Sequence, residues 1–542
     1  MALFKDASEC WKEILSNPKE NVGQLSEIER FARENMLPTN IVFGTSGWRG
    51  EIGLDYTFNN MKIVTEAIIS MFKEGSPAVM EALGVKDFKE IQRRGVIVGH
   101  DNRFLGPEFA MAAIGLLNRA GIAACYSGET TTPEFSSALE ELGGAASINL
   151  TPSHNPARWA GYKFNPSDGG PAGTEITTVI EKFANAMMAD KLIIPDAPAV
   201  DYKTIDPIAL YEKFINRKKT INIDAIKKFI SDADVFICVD HVHGSTRGRP
   251  QRLLGDFGAK IKYLRLENDY LFGGIAPEPS SKNMLMVTEA LVASKAALKL
   301  GVIMDPDGDR IRFTDGTTEL PMNAFGALAF HFFHKYKKLS GVVAKSVATS
   351  NFVNAIAEKL GVVLKETMVG FKNFRPFMLP DAKERAIITF EESDGISGYN
   401  HTLEKDAMFG LLIAIEMMML TGKSIGAYFK DVQEEFGYFY PDRSGVEVDR
   451  ALVGKPLIEK LSKIKDTLKI GSTVTFGNKS KSVKNIITVD GTKVIFDDDS
   501  WLLIRPSGTE PKVRFYIETR SEDEKDIMFK KAEEITKAAI SA

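Results

Sequence analysis

Cysteine is scarce in this sequence, which has only Cys10, Cys125 and Cys238 among its 542 residues. These three lie far apart, and none belongs to a C-x-x-C pair. That spacing argues against a disulfide framework and against a zinc cluster. We therefore expect a reducing environment, and the cytoplasm fits best.

An excess of charge of one sign is also missing. The 68 basic and 72 acidic residues leave a formal net charge of −4, so the protein as a whole has no general attraction to nucleic acid or to an anionic membrane. The most apolar helix-like run, residues 409–420, is too short to span a bilayer and contains Glu416. The N-terminus lacks the basic and then apolar pattern of an export signal. We expect no nucleic-acid or membrane partner, and any anion site must be local.

What the chain does contain is a recurring pattern of short β-branched runs. Each of these runs ends in a polar loop and is followed by a helix-compatible stretch, a glycine and a second apolar run. Such β-α-β units in similar registers predict three related α/β domains. The first runs lie at residues 96–101, 235–240 and 341–346, and the second runs at residues 121–125, 258–262 and 361–365.

The pattern changes at about residue 436, where strands joined by tight polar turns precede a charged helix that starts near Asp523. The predicted fold is therefore α/β, with three similar α/β domains that contain mixed sheets and a smaller C-terminal α+β domain. The expected boundaries are a helical N-terminal extension at residues 1–38, α/β domains at residues 39–205, 206–320 and 321–435, and the C-terminal domain at residues 436–542.

A serine sits between two prolines in the stretch T-P-S-H-N-P at residues 151–156. Pro152 and Pro156 fix the backbone and forbid a continuing helix or a central strand, so the hydroxyl of Ser153 is expected on a stiff, solvent-reachable turn. Such a turn suits a nucleophile or a phosphoryl carrier. An ordinary polar loop has the same composition, and this stretch alone leaves both interpretations open.

Three carboxylates at alternate positions form the sharpest chemical signal: Asp305, Asp307 and Asp309 in D-P-D-G-D-R. The intervening proline and glycine force a turn that lets these oxygens converge on one divalent cation. A calcium-binding EF-hand is disfavoured, because its sixth and twelfth positions would be Arg310 and Gly316. The alternative is a plain β-turn of mutually repelling carboxylates.

Two further loops carry candidate ligand-binding residues. The first is R-P-S-G-T-E-P-K-V-R at residues 505–514, where forked guanidinium groups, hydroxyls and backbone N–H groups suit a phosphate dianion, although a decorated hairpin is the alternative. The second is E-E-S-D-G at residues 391–395, which follows a predicted strand and can accept hydrogen bonds from sugar hydroxyls. Lys372 adds a candidate cation.

Together these signals favour phosphoryl transfer between a phosphoserine and a sugar hydroxyl, assisted by Mg²⁺. Such a reaction depends mainly on positioning and charge neutralisation, so it needs a metal and several cations. Lys163 follows the serine closely and would act as a general acid or base if its pKa were lowered.

The chain resembles the α-D-phosphohexomutase family, and phosphoglucomutases most of all. The resemblance runs from about residue 40 to the C-terminus. It rests on T-P-S-H-N-P with the following Y-K-F-N-P-S-D-G-G-P-A, on D-P-D-G-D-R, on E-E-S and on R-P-S-G-T-E-P-K, in that order. It implies the four domains given above, arranged around a central cleft, and an intramolecular phosphotransferase that passes through a hexose 1,6-bisphosphate.

The resemblance also implies a role for each candidate residue. Ser153 would be the phosphoserine and would share Mg²⁺ with the three aspartates, while Lys163, Arg49 and His154 would act in catalysis. Glucose 1,6-bisphosphate would serve as activator and hexose phosphates as substrates. The substrate-binding residues would be Glu391, Glu392, Ser393, Lys372, Arg310, Arg505, Ser507, Thr509 and Arg514.

The expected reaction interconverts glucose 1-phosphate and glucose 6-phosphate. Phosphomannomutase or dual activity is the nearest alternative, although the E-E-S loop differs from the E-M-S-G-H form of dual-specificity relatives. The alternatives of another class are a metal-dependent sugar phosphatase and a non-catalytic sugar-phosphate sensor.

Overall fold

The computed structural model describes residues 4–44, 47–449, 452, 454–506 and 512–541. Its internal contacts divide the chain into two units. Unit 1 comprises Met1–Glu319 and Gly395–Gly426, and unit 2 comprises Leu320–Asp394 and Ala427–Ala542. Among the described residues, no single helix is long and apolar enough to cross a membrane, although one bent pair, Ala407–Thr421 with Ile425–Phe436, would pass that test by length and composition.

The first sheet of unit 1 has the order β1-β5-β4-β2-β3-β6. Its β2, β3, β4 and β6 run parallel to one another, whereas β5 is antiparallel to both of its neighbours, β4 and β1, so the sheet is mixed. Its strands are β1 (Trp48–Glu51), β2 (Val96–His100), β3 (Ala124–Glu129), β4 (Ala146–Leu150), β5 (Trp159–Pro166) and β6 (Lys203–Thr204). The helices of this region are α1 (Ala7–Ser16), α2 (Pro18–Asn21), α3 (Leu25–Glu34), α4 (Phe58–Glu74), α5 (Pro77–Leu83), α6 (Phe88–Arg94), α7 (Gly106–Arg119), α8 (Thr132–Leu142) and α9 (Thr174–Ala189).

The N-terminal helices pack onto this first sheet. Trp11 of α1 is buried in the same hydrophobic core as Tyr162 of β5. Its indole Nε1–H donates to the carbonyl oxygen of Ile52 at 2.9 Å. The helical spacing of the first 38 residues thus forms a face that shares the core of the first α/β region.

The second sheet has the order β11-β10-β9-β7-β8 and is also mixed, because β7 runs parallel to β8 and β9 while β10 is antiparallel to β9. Its strands are β7 (Val235–Asp240), β8 (Ile261–Leu264), β9 (Leu298–Met304), β10 (Ile311–Thr314) and β11 (Glu319–Leu320). The helices here are α10 (Pro207–Lys218), α11 (Ile223–Asp232), α12 (Arg249–Leu254) and α13 (Ser281–Ala293).

In unit 2, β12 runs parallel to both β13 and β14. These strands are β12 (Val342–Ser346), β13 (Leu364–Thr367) and β14 (Ala386–Glu391), and the helices are α14 (Met322–Lys335), α15 (Phe352–Leu360) and α16 (Arg375–Met378). After them the chain forms β15 (Gly395–Gly398), α17 (Ala407–Thr421) and α18 (Ile425–Phe436).

The last sheet is antiparallel throughout, in the order β16-β21-β20-β19-β18-β17. Its strands are β16 (Tyr440–Glu447), β17 (Thr473–Phe476), β18 (Lys479–Ile487), β19 (Thr492–Phe496), β20 (Trp501–Pro506) and β21 (Lys512–Thr519), and its helices are α19 (Lys455–Ser462), α20 (Ile464–Thr467) and α21 (Lys525–Ser541). The predicted fold class is confirmed: the β-branched runs form parallel strands of three α/β sheets, of which the first two are mixed, and the C-terminal region is α+β.

Candidate active site

Ser153 lies in the loop between β4 and β5, here called the serine loop (residues 151–158). Its φ is +63°, a left-handed conformation that costs a non-glycine residue free energy and is held only by its surroundings. The Ser153 N–H donates to Thr151 Oγ1 at 2.9 Å, and the Thr151 hydroxyl donates to Asp101 Oδ2 at 2.7 Å. The side chain is buried, with 1% exposure. The expectation of a solvent-reachable turn is therefore wrong for Ser153.

Arg103, which the sequence analysis did not single out, holds the serine loop in this shape. Its Nε–H donates to Asp101 Oδ2 at 3.0 Å. Burial lowers the pKa of Arg103, and the charge of Asp101 offsets part of that effect. Its Nη1 and Nη2 groups donate at 2.6–3.1 Å to the carbonyl oxygens of Ser153, Asn155, Pro156 and Trp159.

The three aspartates lie between β9 and β10 and are fully or almost fully buried. Asp305 Oδ1 accepts the backbone N–H groups of Asp309 and Arg310, both at 3.0 Å, which closes the loop on itself. Asp305 Oδ2 accepts the hydroxyl of Ser153 at 2.7 Å. Gly308 has a φ of +65°, and a Cβ there would lie 2.8 Å from Thr246 Cγ2, so the turn needs a glycine.

Lys163, on β5, forms ion pairs with two of these carboxylates. Its Nζ donates to Asp307 Oδ2 at 2.6 Å and to Asp309 Oδ2 at 2.9 Å. Burial by itself would lower the pKa of Lys163, but the charges of Asp307 and Asp309 outweigh burial and raise it. The pKa thus shifts in the opposite direction from the lowered pKa that the sequence analysis required of an acid–base group.

The aspartate cluster fits a divalent cation. One oxygen of each residue lies within 4.8 Å of the others. Asp307 Oδ1 and Asp309 Oδ1 are buried and have no hydrogen-bond partner among the described residues. Burial and the charges of Asp307 and Asp309 raise the pKa of Asp305 well above its ordinary value. Buried carboxylate oxygens that repel one another and lack donors are suited to a hard cation.

Cationic groups surround this cluster. Arg49 Nη1 donates to Asn155 Oδ1 at 3.0 Å, and Arg310 Nε lies 3.7 Å from Asp309 Oδ1. Burial and the neighbouring Arg310 lower the pKa of Arg49 to about 10. Burial and the two guanidinium groups also lower the pKa of His154 well below its ordinary value, so its imidazole is neutral at neutral pH. Two like-charged guanidinium groups held close together suit an anionic ligand.

Two residues that the sequence analysis missed also contact the cluster. The Thr132 hydroxyl donates to Asp307 Oδ2 at 2.6 Å, and Lys405 Nζ lies 3.3 Å from Asp309 Oδ2. Thr132 is the first residue of α8, and Lys405 precedes α17. Neither belongs to a motif, and no local signal in the sequence identifies them.

In unit 2, the two glutamates at the end of β14 have different partners: Glu391 is its last residue and Glu392 follows it. Glu392 Oε2 accepts the hydroxyls of Ser346 at 2.7 Å and of Thr349 at 3.2 Å. Glu391 Oε2 accepts the backbone N–H of Gly370 at 3.3 Å. Lys372 lies in the short helix that follows Gly370, and Ser393 is partly buried. The structure thus brings Glu391 close to the segment that carries Lys372.

The candidate phosphate-binding arginines lie on neighbouring strands of the last sheet. Arg505 on β20 stands directly opposite Arg514 on β21. Arg505 Nη2 lies 3.1 Å from Asp490 Oδ2, a partner that the sequence analysis did not foresee. Ser507 and Thr509 lie outside the described residues.

Comparison with known proteins matches every domain of this architecture to one family. Phosphoglucomutase/phosphomannomutase alpha/beta/alpha domains I, II and III match residues 40–190, 212–318 and 321–436, and the C-terminal domain of the same family matches residues 450–534. The chain belongs to the phosphoglucomutase/phosphomannomutase family. It is therefore an enzyme of the intramolecular phosphotransferase class, as its resemblance implied.

Relatives of known name extend over most of the chain. A phosphoglucomutase of Komagataeibacter xylinus is 27% identical over 527 residues, which cover 88% of this chain and 87% of the relative. A phosphoglucomutase/phosphomannomutase of Thermococcus kodakarensis is 26% identical and covers 80% and 87%. The crystal structure of the Paramecium phosphoglucomutase pp63/parafusin, in an open form, superposes with a TM-score of 0.72 at 21% identity and covers 93% of this chain and 96% of that chain. At that identity the likeness establishes the fold alone.

Proposed function

We propose that this phosphohexomutase interconverts glucose 1-phosphate and glucose 6-phosphate through a phosphorylated Ser153. The observation that carries the proposal is the hydrogen bond from the Ser153 hydroxyl to Asp305 Oδ2 inside a buried cluster of carboxylates. The preference for glucose is supported by the K. xylinus relative and by the E-E-S loop. Because the T. kodakarensis relative is named a phosphoglucomutase/phosphomannomutase, mannose phosphates must be compared with glucose phosphates as substrates.

The reaction that we assign consists of two transfers. In the first, the bond between phosphorus and Ser153 Oγ breaks and a bond to the free hydroxyl oxygen of the hexose monophosphate forms, so that the products are a hexose 1,6-bisphosphate and free Ser153. In the second, Ser153 Oγ accepts the other phosphoryl group from the bisphosphate. We assign the proton exchange to Lys163, whose raised pKa keeps its amine protonated at the start of each transfer. In the first transfer Lys163 gives a proton to the departing Ser153 Oγ and takes up the proton that the sugar hydroxyl loses, and the second transfer runs this exchange in reverse.

Burial of Ser153 favours transfer over hydrolysis. Ser153 is 1% exposed, so a phosphoryl group carried there would meet little water, and a bound sugar hydroxyl would be the available acceptor. Arg103 donates to three carbonyl oxygens of the serine loop and to that of Trp159 on β5, and so orients Ser153 Oγ. These contacts support a mutase over the sugar phosphatase.

A divalent cation, which we propose is Mg²⁺, would be held by Asp305, Asp307, Asp309 and the group on Ser153, and when bound it would neutralise charge on the transferred phosphoryl group. Arg49, Arg310 and a neutral His154 would contact the reacting phosphate. The sugar would be recognised by Glu391, Ser393 and Lys372, with Glu392 nearby. The phosphate that does not react would be bound by Arg505, Ser507, Thr509 and Arg514. Glucose 1,6-bisphosphate would phosphorylate Ser153.

The free thiols of all three cysteines agree with a cytoplasmic location.

A coupled assay with glucose 1,6-bisphosphate tests the proposal, using the wild type, Ser153→Ala and a control, Ser340→Ala, at an exposed serine. We expect mutase activity in the wild type and the control, none in Ser153→Ala, and by intact mass one phosphoryl group that only Ser153→Ala lacks. Rates on glucose, mannose and N-acetylglucosamine 1-phosphates rank the sugars. Stoichiometric release of inorganic phosphate would indicate the phosphatase instead, and ligand binding without a phosphoserine would indicate the sensor.

A further inference from the structure

One carboxylate joins two segments of unit 2 that are distant in sequence. Asp490 lies in the turn between β18 and β19. Its Oδ2 atom is 3.1 Å from Nη2 of Arg505 and also accepts the backbone N–H of Val369 at 3.1 Å. A single oxygen therefore holds both the candidate phosphate-binding arginine and the start of the segment that leads to Lys372.

The turn that carries Asp490 is packed against the backbone of Arg505. Gly491 has a φ of +85°, and a Cβ placed there would lie 2.5 Å from the carbonyl oxygen of Ile504 and 2.6 Å from Cβ of Arg505. Only glycine avoids both the conformational cost and the collision. The position of Asp490 relative to Arg505 is thus determined by backbone packing as well as by the ion pair.

Arg505 retains an unused donor in this arrangement. Its side chain is 14% exposed, and its Nε–H is buried without a hydrogen-bond partner among the described residues. Arg514 stands directly opposite across the strand pair, and like charges in such a pair repel. The Arg505 guanidinium group is bonded to Asp490 and to the Tyr516 side chain and keeps one buried N–H without a partner among the described residues, so it can still donate to an oxygen of a phosphate ligand.

The contact between Asp490 and Val369 extends through the backbone to Glu391. Val369 is followed by Gly370, whose N–H donates to Glu391 Oε2 at 3.3 Å. Asp490 therefore lies at one end of a chain of contacts that runs through Val369 and Gly370 to Glu391. These contacts link the candidate phosphate-binding arginine, Arg505, to the candidate sugar-binding glutamate, Glu391.

We propose that Asp490 is a positioning residue for substrate recognition: it orients Arg505 toward the non-reacting phosphate of a hexose phosphate and couples that arginine to Glu391 through the Val369–Gly370 backbone. This inference rests on the proposed function, because it deepens the role assigned to Arg505. The residue itself contacts no substrate.

The sign of the effect makes the proposal testable. If Asp490 were only a negative charge near an anion site, its removal would tighten phosphate binding, since repulsion would fall. If it positions Arg505, its removal weakens binding. We expect Asp490→Ala to raise KM for glucose 1-phosphate about tenfold and to change kcat about twofold at most, because binding is lost equally in the ground state and the transition state. Asp490→Asn keeps an acceptor for Val369 N–H and should raise KM about threefold.

Asp499→Asn is the matched control, because it removes the same charge from an exposed ion pair with Lys484 in the same sheet; its KM should match that of the wild type. Arg505→Ala and the double variant Arg505→Ala/Asp490→Ala complete a double-mutant cycle. If Asp490 acts through Arg505, adding Asp490→Ala to Arg505→Ala raises KM little further. An unchanged or lower KM in Asp490→Ala, or fully additive losses in the cycle, would overturn the proposal.

Calorimetric binding of glucose 6-phosphate and of inorganic phosphate to the same variants separates this inference from the proposed reaction. We expect about tenfold weaker binding in Asp490→Ala whether or not turnover is observed. Absence of mutase activity with this pattern intact would contradict the reaction alone. Absence of saturable binding of both ligands to the wild type would overturn the role of Asp490.

Discussion

The candidate site residues of the two units are paired in different ways. In unit 1, Ser153, Lys163 and the three aspartates are at most 3% exposed and contact one another directly. In unit 2, the side chains of Arg505 and Asp490 are 14% and 20% exposed, and Asp490 reaches Glu391 only through backbone groups. A dry cluster strengthens electrostatic interactions, which suits phosphoryl transfer, whereas partly hydrated groups suit a ligand that must enter and leave. Substitutions in unit 1 should therefore act mainly on kcat and those in unit 2 mainly on KM.

After the complete loss expected for Ser153→Ala, the largest effect is expected from Lys163→Met. This change removes the proton carrier that we assign and leaves Asp307 and Asp309 without their nearest cation, so kcat should fall about 10²- to 10⁴-fold. The measurement is the coupled assay at saturating substrate. Lys182→Met, at an exposed position, is the control. A kcat for Lys163→Met close to that of the control would contradict the assignment.

A smaller loss is expected from Arg103→Lys. A lysine keeps the charge beside Asp101 but cannot donate at once to three carbonyl oxygens of the serine loop and to that of Trp159, so some buried acceptors lose their donors. We expect kcat to fall about 10²-fold and the free energy of unfolding to fall by on the order of 3 kcal/mol. Urea unfolding and the coupled assay measure the two effects. Full activity at reduced stability would show that the serine loop keeps its shape without the guanidinium group.

Substitution of the two adjacent glutamates of unit 2 should affect different properties, stability for Glu392 and KM for Glu391. Glu392 is held by two hydroxyls, so Glu392→Gln should lower the melting temperature and leave KM nearly unchanged. Glu391→Gln should raise KM about tenfold, the loss expected for hydrogen bonds to a charged group. Steady-state kinetics and thermal unfolding of both variants measure the two effects. The reverse pattern would make Glu392 the residue that binds sugar.

The smallest effect concerns a buried lysine in unit 2 that takes no part in the proposed reaction. Lys493 Nζ donates to the carbonyl oxygen of Val347 at 2.9 Å and lies 4.2 Å from the ring centroid of Trp501. Burial and the charge of Lys345 lower the pKa of Lys493 from 10.5 to about 7. Between these two values the unfolded chain binds more protons than the folded protein, so the free energy of unfolding should rise with pH across this window.

Lys493→Met tests this sign, because it removes the titrating group. Urea unfolding below, within and above the window should show that the wild type gains stability relative to the variant as pH rises from about 7. A difference between the two proteins that does not change with pH would show that Lys493 stays protonated in the folded state. Activity at neutral pH should be nearly equal in both.

Much of the fold could be predicted because its signals are local. Runs such as residues 96–101 and 235–240 are β-branched and bounded by polar residues, and they form β2 and β7. The motifs around Ser153 and Asp305 could be found in the same way, since prolines and glycines restrict the backbone within a few residues. The family and the enzyme class followed from these motifs and are confirmed. The individual roles of the site residues stay predictions.

The sequence by itself determined the α/β architecture, the family and the chemical types of the reacting groups. Only the tertiary structure decided that Ser153 is buried, that Lys163 has a raised pKa, and that Arg103 and Asp490 hold the serine loop and Arg505. The physical reason is distance along the chain: Ser153 and Asp305 are 152 positions apart, and Asp490 and Val369 are 121 apart. Burial, pKa shifts and such ion pairs depend on neighbours that only folding brings together.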